Sequence, residues 1–494
     1  MKIRYLPIDD RNNLRVLRHS TDDTVNEAIL CSIFKRPYYT LQVLWEYHKW
    51  FLELTPAQLE QHPELAFGLC HILIMAGELE RAKQVIATMQ PDSYYQVMAR
   101  LNMPGNTLKT AVELVELMRR NGWTAQGQQL TAGRPGILNG LWDYTPGAER
   151  LAENRDAAIE QLNFLFPENG DVIYDIMLAE HLYQKNECYD ALVLTVGKIP
   201  TLKQRQDMRI LFAALTLEVY ILVLNGQSTA TIPMIHNLRE QIIENGLEEY
   251  TPNLDALEAW AAMYDGDYAY VTKWMREQAP DEYGRFCMLD LFRYMIKMRA
   301  YIISGKDMAV TALAQRLLPL LEQGNRFMDL CELHMLWAMS EHSAGRTDSA
   351  LEHLGCCLAL SEKYRYDRLL ADEGKRICEL LRLYEKRHGA DAYCKRVKEL
   401  AQKTAELHPR YLKKQLPKKP ELTETELKVL RFLADGSSNT QISEQTGMAV
   451  ETAKVHCKHI FDKLEVKNRR QAVFKAIEYG IIEPIQAGAM LSQP

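Results

Sequence analysis

Between Leu422 and Ile482 the chain reads LTETELKVLRFLADGSSNTQISEQTGMAVETAKVHCKHIFDKLEVKNRRQAVFKAIEYGII, and one spacing within it narrows the fold sharply. Ser443, Gly447 and Ala453 stand four and six residues apart. Two helices that cross steeply need a small residue at the crossing, a glycine in the turn and an aliphatic residue where the second helix packs back, so the spacing predicts a helix-turn-helix. The flanks agree. Thr423 is placed to cap a first helix, with Glu424 and Glu426 at its positive end. Leu427, Leu430, Phe432 and Leu433 form its apolar stripe, and Gly436 stops it. Ser438 and Asn439 cap a second helix that runs through Thr446 with Ile442 inward, and a third helix is predicted from about Val450 to Leu464.

That third helix divides by face. Ala453, Cys457, Ile460 and Leu464 fall at i, i+4, i+7 and i+11 and form an inward stripe. Glu451, Lys454, Val455, Lys458 and Asp462 fall on the other side. Two lysines one turn apart with an aliphatic residue between them suit a major groove, because lysine donates to guanine O6 and N7 and valine touches a thymine methyl. Lys454, Val455, Lys458 and Glu451 are therefore the candidate base readers. Ser438, Asn439, Thr440, Thr452 and His459 are donors near helix ends, suited to phosphate oxygens. Lys463, Lys467, Arg469 and Arg470 add a basic rim, with Lys463 and Arg469 placed among the phosphate contacts.

These residues resemble the C-terminal DNA-binding domain of LuxR-type transcription regulators. The resemblance rests on Leu422, Thr423, Glu426, Val429, Leu430, Gly436, Ser438, Asn439, Ile442, Thr452, Lys454, His456, Ile460, Lys463, Leu464, Val466, Arg469, Ala472 and Val473. It implies four helices, the third being the reader, and a fourth from about Arg470 to Tyr479 that pairs with a second copy on DNA. Val473, Ala476 and Ile477 are the pairing residues on that view. There are departures: Thr425 and Lys428 stand where the family usually has Arg and Glu, which implies the loss of an ion pair in the first helix. Ala453 stands where Val is usual, and Gly447 and Met448 make the turn atypical.

Charge is distributed unevenly. The net charge is −6, but from Arg410 to Glu478 fourteen Lys and Arg face nine Asp and Glu, which leaves −11 for the rest. An acidic body joined to a basic module brings nucleic acid to the module alone. With 47% hydrophobic and 25% charged residues, the 494-residue chain has the composition of a multidomain soluble protein. Ten cysteines without a CxxC pair, and a charged N-terminus unlike a secretory leader, point to a reduced, cytoplasmic protein. The apolar run Ile210 to Leu224 contains Thr216 and Glu218 and is too short to span a bilayer, so it reads as a buried helix and no membrane partner is expected.

Upstream of the reader, one pattern recurs. Gly77, Leu79, Ala82 and Ile86 sit at offsets 0, 2, 5 and 9, and Asn186, Cys188, Ala191 and Thr195 repeat those offsets. So do Gly266, Tyr268, Val271 and Met275, and so do Gly345, Thr347, Ala350 and Leu354; Gly226 and Gly305 mark two weaker units. A small residue at the fifth offset lets paired helices approach closely. The segments resemble degenerate tetratricopeptide repeats, which stack into a superhelix. The predicted fold is therefore all-α, a helical-repeat superhelix followed by a four-helix helix-turn-helix domain. Its expected divisions are an N-terminal extension (1–40), a repeat domain (41–407), a linker (408–421), the reader (422–482) and a tail (483–494).

The glycine-rich stretch Gly122 to Gly147 interrupts the repeats and reads as a long loop or insertion, whose Arg134, Trp142, Asp143 and Tyr144 either line a site or pack under the loop. Three prolines and five basic residues between His408 and Glu421 read as a semi-extended tether. The order of repeats, linker and reader is similar to the C-terminal half of large MalT-type regulators. Their nucleotide-binding domain is not expected here: Gly197-Lys198, Gly305-Lys306 and Gly374-Lys375 each lack the following Ser or Thr and the upstream Gly of a P-loop. His353, Cys356 and Cys357 share a helix face without further ligands nearby and read as packing. No nucleophile and base set assembles from linear spacing, so neither an enzyme nor a cofactor is expected.

The whole describes a transcription regulator. Its partners would be double-stranded promoter DNA, bound as a homodimer, RNA polymerase, and a small ligand or protein on the repeat body. The alternative is a repeat-based interaction scaffold with a vestigial or inhibitory DNA-binding domain.

Overall fold

In the computed structural model, each offset-zero residue ends a helix in the left-handed region. The φ angles of Gly77, Asn186, Gly226, Gly266, Gly305 and Gly345 lie between +68° and +79°. In every case the N–H of the following residue reaches back to the carbonyl five positions earlier, at 2.8–2.9 Å. This closes the orphan carbonyls of the helix end, and glycine or asparagine carries it without the Cβ strain of other residues. The next helix then opens two positions on, at Leu79, Cys188, Ser228, Tyr268, Asp307 and Thr347. At offset five, Ala82, Ala191, Thr231, Val271, Val310 and Ala350 are all buried. The two weaker units thus obey the same rule as the four clear ones.

The structure describes residues 28, 30–31, 41–123, 143–167, 169–205, 208–245, 247–389, 391–412, 422–464, 466, 468–478 and 481–482. Among these, all regular elements are helices. The predicted extension 1–40, Arg134 and Trp142 of the inserted loop, most of the linker and the tail 483–494 lie wholly or largely outside them. The chain divides into two compact units, a body ending at Lys414 and a C-terminal unit beginning at Gln415.

The body's helical hairpins are α1 (Pro63–Met75) with α2 (Leu79–Thr88), α3 (Gly170–Gln184) with α4 (Cys188–Arg205), α5 (Met208–Leu224) with α6 (Ser228–Glu244), and α7 (Thr251–Asp265) with α8 (Tyr268–Glu277). They continue as α9 (Leu291–Ile303) with α10 (Asp307–Gln323), α11 (Phe327–Ser343) with α12 (Thr347–Tyr364), and α13 (Gly374–His388) with α14 (Ala392–Leu407). From α3 onward the first helix of each hairpin packs on the first helix of the next, giving the series α3, α5, α7, α9, α11, α13. A helix with neighbours on all sides has no solvated face; α5, the predicted buried helix, and α11 are accordingly buried nearly all round. No described helix is long and apolar enough to cross a membrane.

Hairpin α1/α2 does not join this series through α3. It belongs to a second core, residues 30 to 118 together with Cys287 and Leu289. Its turn meets α10 instead: a Cβ on Gly77 would stand 2.6 Å from Leu320, and Glu78 pairs with Arg285. The described end of the inserted loop is pinned to the stack. The half-buried Asp143 carboxylate accepts from the Met328 and Thr145 amides, both at 2.9 Å, and Tyr144 donates to Glu180. His353 stacks on Trp337 at 3.9 Å, Cys357 lies buried against Cys331, and Cys356 is exposed, so these three side chains do not converge.

One boundary differs from the sequence reading. Residues 408–412, assigned there to the linker, are part of the body: His408, Tyr411 and Leu412 are buried in it.

Candidate nucleic-acid interface

The C-terminal unit is built from α15 (Glu424–Ala434), α16 (Asn439–Thr446), α17 (Val450–Lys463) and α18 (Arg469–Glu478). Reciprocal caps begin the first two. Thr423 Oγ1 accepts from the Glu426 amide at 3.3 Å while Glu426 Oε2 accepts from the Thr423 amide at 2.7 Å, and Ser438 and Gln441 repeat the arrangement. Each capping box satisfies two donors that a helix start leaves open. Gly447 ends α16 at φ +73°, and Ser443 Oγ donates to the Met448 carbonyl at 2.6 Å across the turn. With no heavy atom within 4 Å of its would-be Cβ, Gly447 answers a need for conformation rather than space.

The core of this unit holds Val429, Leu430, Leu433 and Ala434 from α15, Ile442 from α16, Ala453, Cys457 and Ile460 from α17, and Leu464 at its C-cap. The inward stripe of α17 is the predicted one. On α15 it shifts: Leu427 and Phe432 are half-buried, while Val429 and Ala434 take core positions. The opposite face of α17 is open. Glu451, Thr452, Lys454, Val455, Lys458 and His459 are exposed, Val455 at 49%. Lys454 pairs with Glu451 at 2.6 Å, both well solvated, so the pair is exchanged for another acceptor at small cost. Ser438 and Thr440 lie exposed, and Asn439 partly so, at the start of α16, an end of a helix whose dipole suits an anion.

Two candidate phosphate contacts are engaged inside the unit. Lys463 pairs at 2.7 Å with Glu426, whose side chain is 4% exposed. Burial opposes ionisation of Glu426, yet the bonds from Lys463 and Thr423 hold its carboxyl below the usual range. Arg469 donates to the Ser437 carbonyl and to Asn439 Oδ1, at 2.5 and 2.9 Å. These cations brace α17 to α15 and α18 to α16, a role that helix-face arithmetic does not reveal because both partners are distant in sequence.

The pairing residues need correction. Val473 and Ala476 are 1% and 0% exposed within the unit's own core, so they are not offered to a second copy. Among the described residues, the large apolar side chain that α18 presents outward is Phe474, 48% exposed. Ile477 lies on α18, but its side chain is outside the described residues. A stripe on a terminal helix fits a partner or its own domain equally well, and here the domain takes it. Elsewhere in the body, Cys31, His62 and Glu64 bring one ligand atom each within 4.8 Å of one another, a donor set compatible with zinc.

A capped helix, a glycine turn and a second helix with an open basic face define the class: a helix-turn-helix DNA-binding unit. Residues 420–476 match the family described as bacterial regulatory proteins, luxR family. The same region is similar to the response regulator protein VraR of Staphylococcus aureus, Staphylococcus saprophyticus and Staphylococcus epidermidis. Identity to each is 39% over 62 residues, covering 13% of this chain and 30% of the relative. The C-terminal unit is thus a LuxR-type DNA-binding domain of transcription regulators, and the similarity spans less than a third of those relatives' length.

Proposed function

We propose that the chain is a transcription regulator whose helical-repeat body senses a small ligand or a protein partner and thereby controls promoter binding by the C-terminal reader. The carrying observation is the face of α17: Lys454, Val455 and Lys458 stand together in solvent on a helix locked by its inward stripe and by the Lys463 brace. Such a face fits the major groove, with the lysines reading guanine edges and Val455 a thymine methyl. Ser438, Asn439, Thr440, Thr452 and His459 would bind phosphates and set the register. Readers pair on DNA as a homodimer, and two linked half-site contacts hold far more tightly than one through effective concentration. That the relatives sharing this domain are named response regulators favours a reader under control of the rest of its chain.

The test is a titration of the full chain and of Lys454→Ala against genomic promoter fragments at physiological salt. The variant is expected to lose on the order of 1–3 kcal/mol at one base position with the fold intact. Equal affinity of the two proteins for every fragment sinks the assignment.

A further inference from the structure

The inner wall formed by α3, α5, α7, α9, α11 and the residues just before α13 is lined by charges and rings where aliphatic packing would suffice. Arg299 pairs with Glu332 at 2.7 Å and bonds Glu373 Oε1 through Nε at 3.0 Å, and these side chains are 5% exposed or less. Arg368 pairs with Asp372 at 2.7 Å, and Tyr183 also donates to Asp372. Tyr220 stacks on Trp260 at 3.9 Å. Buried ion networks contribute little net stability compared with well-packed apolar groups, so stability alone is a weak reason for this lining.

What fills the middle of it is no repeat helix. It is Tyr411, from the segment that follows the last repeat and leads toward the reader. Its ring stacks on Tyr264, 3.8 Å between centroids and 14° from parallel. Its hydroxyl donates to Glu373 Oε2 at 2.8 Å and lies 3.2 Å from the donor Arg299 Nε. The neighbouring chain is clamped as well: Arg376 donates twice to the Leu412 carbonyl, at 2.9 and 2.6 Å, and Tyr268 donates to the Arg410 carbonyl. Leu412 sits at φ +46°, a left-handed conformation that a leucine holds only when its surroundings impose it. Beside these groups, among Tyr183, Tyr220, Trp260, Arg299 and Asp372, a cavity of about 30 Å³ remains. That is room for water and nothing larger.

We propose that this wall is a binding site for a small aromatic hydroxyl compound, and that Tyr411 is its resident competitor. The chemistry follows from what the site presents to one oxygen. Glu373 Oε2 accepts a hydrogen bond and the Arg299 Nε–H, shared with Glu373 Oε1, donates toward the same point, and a hydroxyl answers both at once. The flat face of Tyr264 selects a ring beneath that hydroxyl. A ligand of this kind takes the place of Tyr411, and the clamped residues 408–412 are then released from the body. Resting on the regulator reading above, the consequence is a longer tether that lets two readers reach two half-sites, so that the ligand raises promoter affinity.

The probe is p-cresol, the side chain of tyrosine as a free molecule. Calorimetric titrations of the full chain, Tyr411→Phe and Tyr411→Ala, without DNA, read the pocket alone. Expected is saturable binding that strengthens from the full chain through Tyr411→Phe to Tyr411→Ala, at least ~10-fold across the series, because a tethered competitor acts at millimolar effective concentration. Equal binding to all three, or none to a folded Tyr411→Ala, overturns the site. If Tyr411→Ala fails to fold, the full chain and Tyr411→Phe suffice, since Phe keeps the ring and gives up both polar contacts; equal affinity of those two overturns it. A promoter titration of the full chain with saturating p-cresol then reads the coupling, which unchanged affinity would overturn. Absence of specific DNA binding in every form would sink the regulator reading while leaving the calorimetric result intact.

Discussion

Two surfaces of this chain gather charged and ring-bearing side chains, and water separates their behaviour. On α17 the Lys454–Glu451 pair is bathed in solvent, with side chains 53% and 81% exposed. On the inner wall Arg299, Glu332 and Glu373 are at most 5% exposed. A solvated pair exchanges partners at little cost, which a DNA-reading face requires. A buried triad cannot lose a member cheaply, because each remaining charge is then stranded in a poor solvent for it. The first surface is suited to an exchange of partners on DNA, while the buried triad of the second is suited to holding its own charges in one geometry.

That difference can be broken most forcefully at Arg299. Arg299→Ala leaves Glu332 and Glu373 buried without their cation and is expected to destabilise the body by about 3–5 kcal/mol in urea unfolding. A loss below about 1 kcal/mol would mean that the wall is wetter than its geometry implies.

Next in size is a pH effect in the second core. His71 is buried, with Nδ1 3.1 Å from the Phe67 carbonyl, and burial lowers its pKa from 6.5 to about 4 despite that bond. The unfolded chain therefore binds a proton between those values while the folded chain does not. Stability is fully present well above pH 6.5 and is lost as pH falls toward 4, by about 1.5 kcal/mol from pH 6.5 to 5. His71→Leu should flatten this part of the urea-midpoint profile, and a slope unchanged by the substitution would assign the effect elsewhere.

Lys463 and Lys454 sharpen the contrast within one helix. Lys463→Ala strands the buried Glu426 and should cost on the order of 1 kcal/mol after allowance for the partly solvated lysine, read as faster amide exchange in α15 and α17. Faster exchange in Lys454→Ala but not in Lys463→Ala would invert the assigned roles. Smallest of all, Glu451→Ala is expected to shift stability by no more than about 0.5 kcal/mol; a larger loss would show that the reading face is tied down after all.

Local rules made much of this legible. A left-handed residue followed at fixed distances by a helix start and a small residue is a property of a dozen consecutive positions, so even the weak units at Gly226 and Gly305 kept their register. The caps at Thr423 and Ser438 and the inward stripe of α17 are local in the same sense. Residues whose partners lie far away were not legible. Periodicity shows that Val473 and Ala476 share an apolar face but not what covers it, and α15 covers it before a second copy can. Basic character shows that Lys463 and Arg469 seek acceptors but not that Glu426 and Asn439 supply them. Proline and lysine content made 408–421 look like a free tether, whereas Tyr411 and Leu412 are held by Tyr264, Glu373 and Arg376.

The sequence by itself determined the helical hairpins, their turns and the open basic face of the reader, because each depends on conformational preferences and periodicities that act over one or two turns of chain. Only the tertiary structure decided which charges are buried and which apolar faces are spent. Both depend on groups far apart in the chain, 33 to 142 residues in the cases of Arg299 with Glu332 and Tyr411 and of Tyr268 with Arg410, being brought within hydrogen-bond distance. Burial is a property of the assembled neighbourhood, and it converts the same side chains from exchangeable surface groups into fixed internal ones.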